Sequence, residues 1–320
     1  MIELAHTSRI YVITPFRYET GGTEALHQLA HKLNLFGCNC LTIYKETAYG
    51  PILCDGTPNS FKRHYLIREA DRIDDIERNV VVVPEIWTRL LNGFKRIRKC
   101  IWWLSVDNNL NSPFGEFDQW SDDILHLFQS NYAKNYAESK NGKGYYLGEY
   151  IHRDFISITI EIQNKENIVL YNPAKGLKVA QKIMNKIKNE PIKFIALQAF
   201  DRSQLKGLFE RSKVYIDFGH HPGMDRIPRE AVVNGCCIIV GRNGAARFYD
   251  DVPVLEKYRL DDTSIDDICR VIRECVYDYE KQVADFSDYV EFVKNQELRM
   301  EIDLRSIFKK AATSETLFEF

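Results

Sequence analysis

Most of the patterns that announce a function are missing from this chain of 320 residues. Its formal net charge is only -2, so no global field gathers nucleic acid, and a nucleic-acid partner is not expected. No apolar run is long enough to cross a bilayer. The opening MIELAHTSRIYVITPF has no basic n-region, and its apolar run reads as a strand rather than a signal peptide. The expected location is therefore cytoplasmic. The Gly-x-Gly-x-x-Gly fingerprint of dinucleotide binding is absent, and so is any Asp-x-Asp triplet. There is no low-complexity stretch and no short-period repeat. Cysteine is present but not in metal-binding order. Cys38 and Cys40 are too close together and too isolated from other ligands for zinc. Cys38, Cys40, Cys100, Cys236, Cys237, Cys269 and Cys275 sit in apolar runs, as small buried hydrophobes do in a reducing compartment. No metal site is expected.

What remains is an ordinary soluble composition, 45% hydrophobic and 28% charged, long enough for two domains. Short β-rich runs alternate with helical periodicity. Arg9–Thr14 (RIYVIT) is a strand, and Thr23–Leu35 has apolar residues at helical spacing, with Thr23 as N-cap. Asn39–Tyr44, Val80–Val83, Ile101–Val106 and His126–Gln129 are further strands. The pattern loosens between about 142 and 163, and then a second series begins. Strands are expected at 168–171, 194–197, 214–218 and 237–240, with helices at 177–188, 203–210 and 229–234. Ile265, Ile268, Ile272 and Cys275 form one face of a later helix. The fold class is thus α/β: two Rossmann-like, doubly wound domains, 1–155 and 156–320, facing across a cleft, with the final helices packing back on the first.

The most informative stretch is Val214–Val240, VYIDFGHHPGMDRIPREAVVNGCCIIV. A strand ends in a loop with His220, His221, Pro222 and Gly223, followed by Asp225, Arg226, Arg229 and Glu230. Ligands of parallel α/β sheets bind past the carboxyl ends of strands. Arg226 and Arg229, three apart, share a helix face and suit bidentate phosphate contact. Glu230 is placed to accept from ribose hydroxyls, and a surface ion-pair cluster is the plainer alternative. Three other segments follow the same logic. Gly21 and Gly22 let backbone N–H groups approach an anion at a helix start. Lys175, in Asn172–Gly176 after a strand, can meet a phosphate or simply be solvated. Asp107, closing the strand IWWLSVD, can orient or deprotonate a hydroxyl, or form an Asx turn. The basic run Lys95–Lys99 reads as a solvated helix face, with contact to an anionic membrane or acidic acceptor as the other option.

Taken together, GGTE after the first strand, NPAKG opening the second half and the PREAVVNGCCIIV–GRNGAA block resemble the GT-B glycosyltransferases. The likeness is to their family 4, the retaining, nucleotide-sugar-dependent type of bacterial polysaccharide assembly, and is clearest over about 166–255. The resemblance implies a donor site of Gly21, Gly22, Lys175, His220, Asp225, Arg226, Arg229, Glu230, Asn243 and Gly244, with Asp107 and His221 as catalytic candidates. Lys175 matches the family's diphosphate lysine, and Glu230 the second glutamate of E-x7-E. The first glutamate falls at Pro222, where His220, His221 or Asp225 could take its place. The usual arginine before the lysine is missing, leaving Arg226 or Arg229 to supply charge. The family's histidine in the first half is replaced by Val106 or Ser105. His-Pro also occurs in CMP-binding motifs of some sialic-acid and Kdo transferases, so UDP-, GDP-, dTDP- and CMP-linked donors all stay open. The lack of Asp-x-Asp agrees with a metal-independent enzyme, in which helix N-termini and basic side chains neutralise the leaving group. The implied activity is sugar transfer to a saccharide or lipid-linked acceptor, without a cofactor, with peripheral contact at the inner membrane face. A non-catalytic binding module of the same fold is the rival reading.

Overall fold

The computed structural model describes residues 1–111, 122–156 and 159–311. It divides into two compact units: Met1–Glu149 joined by the chain from Leu298 on, and Tyr150–Glu297. The division falls six residues earlier than the sequence pattern places it, at 149/150 rather than 155/156.

The first unit is built on β1 (Ile2–Leu4), β2 (Arg9–Pro15), β3 (Asn39–Lys45), β4 (Val80–Pro84), β5 (Arg98–Trp103), β6 (Ile124–Phe128) and β7 (Gly144–Tyr146). Six of them make one parallel sheet in the order β3-β2-β4-β5-β6-β7. The run VVVVP of β4 is buried at every position, as expected of a parallel strand covered on both faces. The second unit carries β8 (Glu166–Tyr171), β9 (Lys193–Ala196), β10 (Ser212–Asp217) and β11 (Cys237–Val240), parallel in the order β11-β10-β8-β9. A last strand, β12 (Phe308–Lys310), returns to pair with β1, Ile2 opposite Phe308. In the same unit Lys32 is paired with Glu301 at 2.7 Å, and the Arg305 guanidinium lies 4.0 Å from the Phe36 ring. These contacts tie the C-terminal segment to the first unit.

The strand orders fix where ligands can bind. In the first sheet the chain runs from β2 to β3 on one side and resumes at β4 on the other. In the second it runs from β8 to β9 and resumes at β10 across β8. Each reversal opens a crevice at the carboxyl ends of two neighbouring strands. The crevices are flanked by the segments after β2 and β4 in one unit, and after β8 and β10 in the other.

Local chemistry accounts for several departures from the sequence pattern. Helix Gly21–Leu35 is capped by Thr20, not Thr23. Thr20 Oγ1 accepts from Thr23 N at 3.3 Å and Thr23 Oγ1 accepts from Thr20 N at 2.9 Å, a reciprocal capping box. Gly21 and Gly22 are therefore the first helical turn rather than a loop before it. The basic run is not a helix face either. Glu85–Gly93 is a 3-10 helix that ends before it, and the amides of Lys95, Arg96 and Ile97 donate to the Asp75 carboxylate at 2.7–2.9 Å. Strands β1, β7 and β12 are three residues each, too short to show periodicity. The seven cysteines expected to be buried are buried, and Cys54 is exposed.

Lys165 holds the base of the second unit. Its buried ammonium donates to the carbonyls of Phe209, Ser212 and Asn234 at 2.6–2.9 Å. Phe209 lies in the last turn of helix Arg202–Arg211, and Asn234 lies just past helix Arg226–Val232. These carbonyls lie at or just past helix C-termini, where a cation complements the helix dipole.

Candidate functional site

In the second unit the carboxyl end of β10 is Asp217, a charge that follows the buried run Val214–Ile216. Its Oδ2 accepts from Tyr215 OH at 2.7 Å and its Oδ1 from Gly219 N at 3.0 Å. Four residues on, the ring of His221 is wholly buried, with Nε2 3.4 Å from Asp217 Oδ1 and Nδ1 3.7 Å from Asp225 Oδ2. The same Asp225 oxygen takes the ammonium of Lys175, which arrives on the loop after β8. Burial works against charge on Asp217, but the contacts from His221, Tyr215 and Gly219 outweigh it and hold the carboxyl below its ordinary range. Burial likewise disfavours the charged imidazole, yet Asp217 and Asp225 raise its pKa above that of a free histidine.

Close backbone approach makes the cluster possible. A Cβ on Gly219 would sit 2.3 Å from Lys175 Cβ, so only glycine lets the β8 and β10 loops meet there. Gly244 follows β11 with φ at +64°, and a Cβ there would lie 2.0 Å from the His221 carbonyl oxygen. Ala245 N donates to that oxygen at 2.8 Å, and His221 N to Asn243 O at 3.4 Å. The loop after β11 thus braces the histidine.

The remaining candidates divide. Asp225 is the N-cap residue of helix Arg226–Val232, and Arg226 Nε lies 3.4 Å from Glu230 Oε1. His220 and Asn243 are exposed. Arg229 does not join Arg226 on a ligand-facing surface. It is fully buried, with Nε on Asp225 O at 3.1 Å, Nη2 on Met224 O at 2.7 Å and Nη1 on Gln296 Oε1 at 3.0 Å. Its fork is engaged by the protein, so the phosphate role drawn from the i, i+3 spacing is corrected to a structural one. His221 is corrected as well: enclosed by carboxylates, it touches no open surface. Asp217 was not singled out from sequence, although an acid ending a buried strand and spaced i, i+4 from a histidine is a readable signal.

Asp217, His221 and Asp225 bring one ligand atom each within 4.8 Å of one another, a spacing that a cation could use. Their donors do not converge on a point, however. Different ring nitrogens face the two carboxylates, Asp217 already accepts from Tyr215 and Gly219, and Asp225 holds an ammonium. The set fits a proton and a lysine better than a metal.

The first unit assembles a separate group. Gly21 and Gly22 begin the helix after β2. Asp107 does not close a strand: β5 ends at Trp103, and Asp107 lies in the first turn of helix Val106–Asn111. It accepts from Tyr132 OH at 3.2 Å. Glu85, at the carboxyl end of β4, was missed because nothing in EIWTRLLNG marks it. Its buried Oε2 accepts from Leu104 N at 3.1 Å, and its backbone oxygen from Asn109 Nδ2 at 2.7 Å.

Burial pushes the Glu85 carboxyl up to about 7. As pH rises past the ordinary carboxyl range, the unfolded chain loses this proton while the folded one keeps it, so stability falls until the folded pKa is reached. Glu85→Gln removes that dependence. Its stability relative to the wild type is expected to improve by about 3 kcal/mol in all between about pH 4.5 and pH 7, and then to level off. Urea unfolding followed by tryptophan fluorescence reads the first unit alone, since all four tryptophans precede residue 121. A constant difference across that window would sink the assignment. Two buried histidines run the other way. Burial lowers His27 and His126 to about 4, so the stability from keeping them neutral is lost as pH falls from the ordinary histidine range towards 4.

No protein-family model matches the chain, and no curated protein resembles it in sequence. Solved structures do resemble it in fold. Sucrose-phosphate synthase of Thermosynechococcus elongatus superposes with a TM-score of 0.65 at 12% identity, over 94% of this chain and 99% of that one. A glycosyltransferase of Rickettsia africae gives 0.62 at 11%, over 93% and 98%. HepE of Anabaena, solved in complex with UDP-glucose, gives 0.61 at 10%, over 93% and 98%. At these identities the likeness is one of fold, and that fold is GT-B. It extends over both α/β units.

Proposed function

We propose that this chain is a glycosyltransferase. It moves a sugar from a nucleotide-sugar donor to a saccharide or lipid-linked saccharide, in surface polysaccharide assembly, without a metal. It acts in the cytoplasm, at the inner face of the membrane; no helix among the described residues is long and apolar enough to cross one. The observation that carries the reading is the meeting of three strand-end loops at the switch point of the second sheet, with Lys175 at its centre on Asp225. The shared fold with a structure holding UDP-glucose supports it.

In this reading Lys175 and Arg226 meet the donor diphosphate, and Glu230, kept in place by Arg226, accepts from the ribose. Asn243, Gly244 and His220 border the base and sugar. The helix start at Gly21 and Gly22 contributes backbone N–H groups to an anionic substrate group, and Asp107 is a polar contact for the acceptor. Arg229 and His221 touch no substrate. Catalysis comes from stabilising charge on the departing nucleotide and from holding the acceptor hydroxyl in place.

A thermal-shift screen of UDP, GDP, dTDP, CMP and their sugar conjugates tests this, because a ligand that binds only the native state raises the melting temperature by mass action. One nucleotide is expected to shift it selectively, and Glu230→Gln to diminish the shift. Transfer from that donor is expected to be unchanged by EDTA. No shift with any nucleotide, from a folded protein, would favour the non-catalytic module.

A further inference from the structure

His221 is fully buried and shares the Asp225 carboxylate with Lys175. Its ring is buried between Asp217 and Asp225, and neither nitrogen completes a hydrogen bond with protein groups among the described residues. A neutral imidazole has one N–H and one lone pair. It would serve one carboxylate and turn a lone pair on the other. An imidazolium presents an N–H to each. With both aspartates ionised, Asp217, His221, Asp225 and Lys175 then balance two negative charges with two positive ones, around an Asp217 that is too buried to stand uncompensated beside a second carboxylate.

We propose that His221 is held as an imidazolium between Asp217 and Asp225, and that by compensating Asp225 it lets Lys175 leave that carboxylate for the phosphate of a nucleotide. The inference rests on the reading of Lys175 as the phosphate-binding residue. His221 is a positioning residue: without its charge, moving the ammonium would leave buried Asp217 and half-buried Asp225 facing each other uncompensated, so Asp225 would keep Lys175. The groups around the ring are consistent with this. Asp217 and Asp225 favour its charge and Lys175 opposes it. The Tyr215 hydroxyl is turned on Asp217, and Tyr289 and Arg229 lie within electrostatic range of the aspartates or their loop.

The test is an NMR titration of the His221 ring in the full chain, without ligand, in the wild type, Lys175→Met and Asp225→Asn. The ring is expected to titrate above the ordinary histidine range in the wild type. Removing the lysine charge should move it up further, and removing the Asp225 charge should move it down, each by about one pH unit. A ring that is neutral at about pH 7, or one that titrates identically in Lys175→Met, overturns the proposal. The second measurement is the affinity of wild type and His221→Gln for UDP-glucose and for the nucleotide found in the screen. A drop of about tenfold or more in the variant is expected, with the wild-type affinity weakening as pH rises through the ring's titration, because proton and ligand binding are reciprocally linked. Equal affinity in wild type and variant overturns the positioning role. If no nucleotide binds while the ligand-free titrations behave as expected, it is the transferase reading that fails, not the charge coupling. The reverse result condemns the coupling alone.

Discussion

The Arg229→Ala variant is expected to melt about 10 °C or more below the wild type, whatever ligand is present. The side chain is fully buried and holds Met224 O, Asp225 O and Gln296 Oε1. Alanine leaves two carbonyls and an amide without their donor, and a cavity of arginine size. Each orphaned buried acceptor costs about 1–3 kcal/mol, and the cavity adds to that cost. Because Met224 and Asp225 form the turn that presents Asp225 to Lys175 and His221, site geometry should be lost with stability. Calorimetry is the suitable measurement, since the second unit contains no tryptophan. An unchanged melting temperature with nucleotide binding abolished would return Arg229 to the ligand-contacting role that its spacing implies.

Lys175→Met is expected to do the opposite: fold normally and lose function. Its side chain is partly exposed and is paired with Asp225, which keeps His221 as a partner. Melting should shift by no more than a few degrees. Transfer is expected to fall about 100- to 1,000-fold in kcat/KM, the scale seen when a preorganised group that stabilises transition-state charge is deleted. In the proposed transfer, negative charge on the departing diphosphate is greater in the transition state than in the bound donor, so kcat should carry much of the loss. Lys175→Arg would restore charge but not shape, since a planar fork replaces the compact ammonium that Asp225 holds. Full activity in Lys175→Met, with the donor at subsaturating concentration, would remove the lysine from the site.

Much of the second unit was legible because its signals are local. CIIV reads as a buried strand and is β11 as observed. Ile268, Ile272 and Cys275, at helical spacing, are all buried in the helix Ile265–Tyr277. The segments after β8, β10 and β11 were recognisable from their glycines and charges, and the structure brings Lys175, His221, Asp225 and the Asn243–Gly244 turn together. Spacing alone misled for Arg229. A three-residue interval on a short helix says that two side chains are neighbours, not which of them faces solvent. Asp107 falls at the end of a strand in the sequence pattern because Val106 extends the apolar run of IWWL, whereas β5 stops at Trp103. Glu85 had no signal, because its partners Leu104 and Asn109 are about twenty residues away.

The sequence by itself determined the class of fold, since hydrophobic periodicity and turn residues act within a few positions of one another. It also determined which loops end parallel strands, and hence where charged residues gather. Only the tertiary structure decided what those charges do. Whether an arginine grips its own backbone or faces a ligand, and whether a histidine lies in solvent or between two carboxylates, depends on burial and on partners supplied by other strands. Those partners are set by strand order and close packing, and burial decides which ionic state each group can hold.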